Sequence, residues 1–297
     1  MTMNHAIAPE ADGLRTALLE LDRLFPERTI AVDGGVVCYR ELVAGTDAPP
    51  AGRQVFVLLH GIGSGAATWL ACAQALSRSV PGARVIAWNA PGYGKSTMLP
   101  GTRPDARAYA ARLRQLVRGL GIARFTLVGH SLGALMAAAY AGTWPGSLDK
   151  LVLLSPARGY GVRARLAQGT QVERERLSAL GELGIHGMAT LRSARLLSAG
   201  ATPVQRDWVR WNMAQLNPAG YTQAVYLLCG DAIENHAHPA VQTVPAKVWC
   251  GALDPVTTPD DSCGVARLYG FPFGLIPDAG HACHVEQPEA VAHAILN

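Results

Sequence analysis

The chain has 297 residues, of which 49% are hydrophobic and 16% charged, and a formal charge of +4 from 26 basic and 22 acidic side chains. At roughly 100–200 residues per domain this length implies two domains, or one large domain carrying an insertion. The composition is too apolar and too weakly charged for the disordered class. The arginines run from Arg15 to Arg267 without a tight basic block, so no nucleic acid partner is expected.

The first thirteen residues include His5, Glu10 and Asp12 and lack the basic and apolar regions of a secretory signal. The longest near-continuous apolar run, Leu132 to Ala141, is about half of the roughly 20 residues a bilayer span needs. A cytoplasmic protein with no membrane span is therefore expected. Leu14, Leu18, Leu21 and Leu24 recur at helical spacing, and a hairpin follows over Arg28 to Glu41 with its turn at Asp33-Gly34-Gly35. Three short apolar runs come next, Val55 to Leu59, Arg84 to Trp88 and Phe125 to Val128. Each ends in a Gly-rich turn, and helical stretches over Thr68–Ser79, Asp105–Leu120 and Leu132–Thr143 separate and follow them. Continuous apolar strands alternating with helices predict an α/β fold with a parallel sheet covered on both faces.

After a fourth run at Lys150 to Leu154 the rhythm breaks. From Ala157 to about Val244 the chain is Arg-rich and helix-prone, with breaks at Gly169, Gly181, Gly200, Pro203 and Pro218 and no clear strand. The rhythm resumes with a strand at Lys247 to Cys250, a helix near Asp260 to Tyr269, a strand at Phe273 to Ile276 and a last helix from Pro288 to Leu296. This reads as a core domain of residues 1–156 and 245–297 interrupted by a helical cap of residues 157–244. A cap over the carboxyl ends of parallel strands is a lid, because ligands of open α/β sheets bind there. The six cysteines are widely spaced, without a C-x-x-C pair, which fits reduced thiols better than disulfides or a zinc cage.

Gly129-His130-Ser131-Leu132-Gly133 matches G-x-S-x-G between a strand and a helix. There the serine sits on a sharp turn, and its glycine neighbours remove side chains that would collide. The competing reading is a tight turn whose serine only caps the helix. A nucleophilic serine needs a base, and the base a carboxylate; Asp254 and His281 each follow a late strand, in the order Ser, Asp, His that this architecture uses. Asp231 and Asp278 are the alternative acids. His284 is read as a surface or supporting residue, and His236 and His238 as exposed. For the oxyanion, the N–H groups of Leu132 and of Ile62 are the candidates, Ile62 lying in the Gly-rich turn His60-Gly61-Ile62-Gly63. Pro91 to Ser96 lacks the spacing of a phosphate loop, and no cofactor or metal is expected.

Together His60-Gly61, the P-G-x-G-x-S segment at Pro91–Ser96, the turn at Gly129–Gly133, Gly-x-x-Asp at Gly251–Asp254 and Gly280-His281 resemble the α/β-hydrolases with a helical cap. The resemblance implies a mostly parallel eight-stranded sheet with helices on both faces and the cap inserted after the sixth strand. Epoxide hydrolases and haloalkane dehalogenases carry an aspartate where this chain has Ser131, so an acyl-enzyme route is implied. The segment His281 to Glu289, with Asn217 to Tyr221, is similar to 3-oxoadipate enol-lactonases. The carbon-carbon hydrolases of aromatic ring-cleavage products usually have tryptophan directly after the histidine, and here that residue is Ala282. The expectation is a hydrolase of a small-molecule ester or lactone whose cap closes over a mostly apolar acyl group, with Trp69, Trp144, Trp208 and Trp211 as candidate walls. A carbon-carbon hydrolase and a non-catalytic ligand-binding homologue are the alternatives.

Overall fold

Parallel strands and one antiparallel hairpin share one sheet, as the change from alternating to continuous apolar runs requires. The computed structural model describes residues 9–43 and 52–297; the readings of residues 1–8 and 44–51 lie outside the described residues. Helix α1 (Pro9–Leu24) leads into β1 (Glu27–Val32) and β2 (Gly35–Val43), paired antiparallel from Glu27↔Arg40 to Val32↔Gly35. Next come β3 (Val55–Leu59), α2 (Leu70–Ser79), β4 (Arg84–Trp88), α3 (Ala106–Gly119), β5 (Phe125–His130), α4 (Leu132–Thr143) and β6 (Leu148–Leu154). The eight-stranded sheet has the order β1-β2-β4-β3-β5-β6, continued by β7 (Ala246–Gly251) and β8 (Phe273–Ile276), and every pair from β4 to β8 is parallel.

Neighbouring residues of one strand feed opposite layers. Phe56 and Leu58 face α2 and, through Val291 and Ile295, the last helix of the chain; Val57 and Leu59 face α3 and α4. Because both faces are covered, β5 is buried from end to end, which is why the sequence shows a run there and not an alternation. From β3 the chain crosses to β4 on one side, whereas β5 lies on the other side of β3. The strand order thus reverses between β3 and β5, and the crevice beyond the carboxyl ends of these two strands is the place where such sheets hold ligands.

Between β6 and β7 the chain leaves the sheet and forms α5 (Leu166–Arg192), α6 (Pro203–Ala214) and α7 (Pro218–Gly230). Helix α5 runs through both Gly169 and Gly181, which the sequence reading took as breaks; an isolated helical glycine is tolerated at a penalty of about 1 kcal/mol. The interruption falls instead at Gly184, whose φ of 61° and ψ of −178° are non-helical. Pro203 and Pro218 stand at the first turns of α6 and α7, after the capping residues Thr202 and Asn217, where a missing N–H does no harm. A single antiparallel bridge, Gly159↔Ala232, ties the two ends of this segment. The chain ends in α8 (Pro259–Tyr269), β8, α9 (Cys283–Glu286) and α10 (Pro288–Leu296). Among the described residues no helix is long and apolar enough to cross a membrane, and all six cysteines are free.

Candidate active site

Strand β5 delivers Ser131 to the end of the sheet, and the turn into α4 puts it at φ 53° and ψ −119°. Few residues other than glycine adopt positive φ, and such strain persists only where the surroundings hold it. Here the amide of Ser131 donates to Leu154 O at 3.0 Å, and its carbonyl accepts from Ala134 N and Ala157 N, both at 3.0 Å. Gly129 and Gly133 have no room for a side chain. A Cβ on Gly129 would lie 2.5 Å from Gly133 O, and one on Gly133 2.6 Å from Leu59 O. The serine side chain makes no capping bond to α4, unlike a serine present only to start a helix. Among the described residues its Oγ has no hydrogen-bond partner, which leaves the hydroxyl free to the cavity beside it.

The loop after β7 carries Asp254 and the loop after β8 carries His281. They meet because Gly251 packs its Cα directly on the Gly280 carbonyl, a contact any Cβ would block. His281 Nδ1–H donates to Asp254 Oδ2 at 2.8 Å, which leaves Nε2 as the basic nitrogen. Oδ1 of Asp254 accepts from the amides of Val256 (2.7 Å) and Thr257 (3.0 Å), and Oδ2 also accepts from Thr257 Oγ1 (2.9 Å). Burial alone would raise the pKa of this carboxyl, but the charge and hydrogen bond of His281 and the two amides hold it well below the ordinary carboxylate range. Asp278, at φ 54°, is exposed in its turn. Asp231 is elsewhere, accepting from Ala106 N at 2.9 Å and from His236 Nε2 at 3.0 Å. His236 is consequently buried, not exposed as the sequence suggested, while His238 is exposed.

His60 braces the turn after β3: its Nδ1–H donates to Gly61 O (2.8 Å) and its Nε2 accepts from Ala90 N (3.0 Å). Gly61 lies so close to Ser131 that a Cβ there would be 2.8 Å from Ser131 Cβ. The hydroxyl of Tyr93 donates to Ile62 O at 2.9 Å, fixing the peptide from its far side. The Pro91–Ser96 segment thereby supports this loop, a role its glycines did not reveal. Gly92, at φ 82°, meets the N-terminus of α7 backbone to backbone at Gly220.

Ser131, His281, Ile62 and Leu132 all line one cavity of about 380 Å³, roofed by Met188, Leu196, Met213 and Leu228 from the segment between β6 and β7. None of Trp69, Trp144, Trp208 and Trp211 is part of that lining; Trp69 packs on His284 at 4.3 Å and Trp208 stacks on Trp211 at 5.3 Å. Trp211 lines a smaller neighbouring cavity.

Two further residues escaped the sequence reading. His130, the variable position of G-x-S, donates from Nε2 to the backbone carbonyl of His281 at 2.8 Å. Its ring lies 4.7 Å from that of His281 and 4.5 Å from that of His284, which is wholly buried and not at the surface. Glu286 accepts from Gly280 N (2.8 Å) with one oxygen and from Ser198 N (2.9 Å) with the other, joining the histidine loop to the segment above it.

Burial lowers the pKa of His60 to about 4 and of His130 to about 3, and pushes that of His284 well below its ordinary value. An unfolded chain protonates these imidazoles near 6.5, so over the interval below that pH the unfolded state binds protons the folded state refuses. Their contribution to stability is full above about pH 6.5 and is lost as pH falls toward 4 and 3; Asp254 adds a loss in the same direction at lower pH. The urea midpoint is therefore expected to fall steadily from pH 7 to pH 4, and a flat profile over that range would contradict this electrostatic description.

Comparison with known proteins adds three findings. The model of the Alpha/beta hydrolase family matches residues 56–294. The curated 2-hydroxy-6-oxononadienedioate/2-hydroxy-6-oxononatrienedioate hydrolase of Paraburkholderia phymatum is 38% identical over 112 residues, 37% of this chain and 38% of that protein, and the protein of the same name from Escherichia coli O139:H28 is 37% identical over 111 residues, 36% and 38% of the two chains. The match therefore spans well under half the length of these relatives. Among solved structures, a thermophilic esterase from Thermogutta terrifontis has a TM-score of 0.76 at 24% identity, covering 91% of this chain and 96% of its own. The enol-lactonase from Burkholderia xenovorans LB400 has the same TM-score at 22% identity, covering 91% and 98%. At such identities the likeness is one of fold.

Proposed function

The chain belongs to the alpha/beta hydrolase family, and from that premise we propose that it is a serine hydrolase cleaving a small carboxylic ester or lactone through an acyl-enzyme. The observation that carries this reading is the convergence on one cavity of an uncapped, positive-φ Ser131 and of a His281 whose Nδ1–H is held by Asp254 at 2.8 Å. In the first step Ser131 Oγ attacks the carbonyl carbon while His281 Nε2 takes its proton. Asp254 keeps Nδ1 protonated and stabilises the imidazolium. The amides of Ile62 and Leu132 hold the oxyanion, each worth on the order of 2.7–4 kcal/mol in the transition state. His281 then returns the proton to the departing oxygen. Water enters, His281 deprotonates it, and a second tetrahedral intermediate collapses to release the acid and restore Ser131. The helices of residues 157–244 act as the lid, and the chemistry needs no cofactor or metal.

The second reading keeps the serine machinery and changes the bond to the carbon-carbon bond of a vinylogous diketone. It is favoured by the activity for which those relatives are named, although they match little more than a third of the chain, and disfavoured by Ala282. Steady-state kinetics on a panel of esters, lactones and ring-cleavage diketones decides between them. Turnover of esters or lactones is the expected result; turnover of the diketones alone would overturn the ester reading. A pocket that binds without any turnover would instead revive the non-catalytic alternative.

A further inference from the structure

Beside its apolar roof the cavity has a charged wall. Five arginines line it, Arg158, Arg165, Arg176, Arg192 and Arg195, and among the described residues Asp261 is the one carboxylate that does. Two of the five share one carboxylate: Arg158 Nη2 donates to Glu234 Oε1 at 2.7 Å, and Arg165 grips both oxygens of Glu234 at 2.8 Å. The other three have no such partner. Among the described residues Arg176 donates only to the neutral hydroxyl of Tyr221, at 3.2 Å, and no carboxylate lies within ion-pair distance of Arg192 or Arg195. Asp261 is occupied by the hydroxyl of Thr258 at 2.9 Å.

These cations are not scattered on a distant rim. Arg192 is in the last turn of α5, where the helix dipole favours positive charge, and Arg195 is in the short turn that follows. The next residue, Leu196, accepts from the amide of Ala282 at 2.7 Å, so this turn is hydrogen-bonded to the residue directly after His281. The Ser198–Glu286–Gly280 bonds clasp the same two segments together. Arg176 and Arg192 are half-buried and Arg195 is exposed at the cavity wall; guanidinium groups without counter-charge in such a wall repel cations and give planar pairs of N–H donors to an anionic group.

We propose that the cavity selects a substrate bearing an anionic group, carboxylate or phosphate, which Arg192 and Arg195 bind with Arg176 contributing to the field. The inference rests on the cavity being the hydrolytic site and specifies which class of ester or lactone enters it. The test compares mono-p-nitrophenyl glutarate with p-nitrophenyl pentanoate in the wild-type protein, in an Arg192→Ala/Arg195→Ala double variant and in Arg174→Ala, an exposed residue of α5 outside the cavity lining. Thermal-shift titrations with glutarate, pentanoate and inorganic phosphate run in parallel. The expected result is a higher kcat/KM for the anionic ester that falls about tenfold to a hundredfold in the double variant, the range for losing hydrogen bonds to a charged group. The preference for the anionic over the neutral ester should collapse in the double variant, and both esters should be unaffected in Arg174→Ala. Stabilisation by glutarate assigns a carboxylate, and stabilisation by phosphate alone assigns a phosphate. Equal rates on the two esters, with no stabilisation by either anion, would overturn the inference and leave the ester reading standing. Anion stabilisation lost in the double variant, with neither ester turned over, would uphold the charge selection and defeat the reaction.

Discussion

Ser131→Ala is expected to lower kcat on a p-nitrophenyl ester by about 10⁴-fold or more, the scale on which removing the nucleophile acts in triad enzymes. The substitution is clean on physical grounds. Among the described residues the hydroxyl has no hydrogen-bond partner, so its removal strands no buried donor or acceptor there, and the backbone bonds to Leu154, Ala134 and Ala157 that hold the turn do not involve the side chain. Alanine meets the positive φ with about the same strain as serine. Stability should therefore change by no more than about 0.5 kcal/mol, and an inactive variant with an unchanged unfolding midpoint separates chemistry from folding. Activity within tenfold of the wild type would remove Ser131 from the mechanism.

Asp254→Asn should cost about 10⁴-fold in kcat, for a reason that is geometric before it is electrostatic. The Val256 and Thr257 amides both point at one oxygen of the carboxylate, so the asparagine carbonyl is drawn to that side and its NH₂ group faces His281. An NH₂ donor there stabilises the tautomer with a bare Nδ1 and a protonated Nε2, which cannot accept the serine proton. Asp231→Asn is the matched control. It also disturbs a buried Asp–His pair, but one that bonds Ala106 and His236, and kcat should stay within about threefold of wild type. Equal losses in the two variants would mean that the acid had been misidentified.

How much of this was legible beforehand varies with the kind of constraint. Close backbone approach leaves a mark in sequence because glycine alone satisfies it: Gly129, Gly133, Gly251 and Gly280 each abut backbone atoms, and those same glycines located the serine, acid and histidine turns. The fold was readable for a related reason, since burial on both faces turns a strand into an apolar run. Burial of single polar residues leaves no such mark. His284 was left between the surface and a supporting place, and His236 looked exposed, because nothing local records that Trp69 and His130 cover the first and Asp231 pairs with the second. The arginine wall was invisible because Arg176, Arg192 and Arg195 come from different turns, and the bend at Gly184 between the first and the other two removes the periodicity that would have put them on one face. The breaks assigned to Gly169 and Gly181 failed through the converse error, in which a weak propensity was allowed to outrank helix packing.

The central claim is that Ser131 forms a covalent acyl intermediate in this cavity. Treating the wild-type protein with a fluorophosphonate and mapping the adduct by peptide mass spectrometry tests it most directly. The account predicts a single stoichiometric adduct on Ser131, absent from Ser131→Ala and strongly slowed in Asp254→Asn. Modification of another residue, or undiminished labelling of Ser131→Ala, would contradict it.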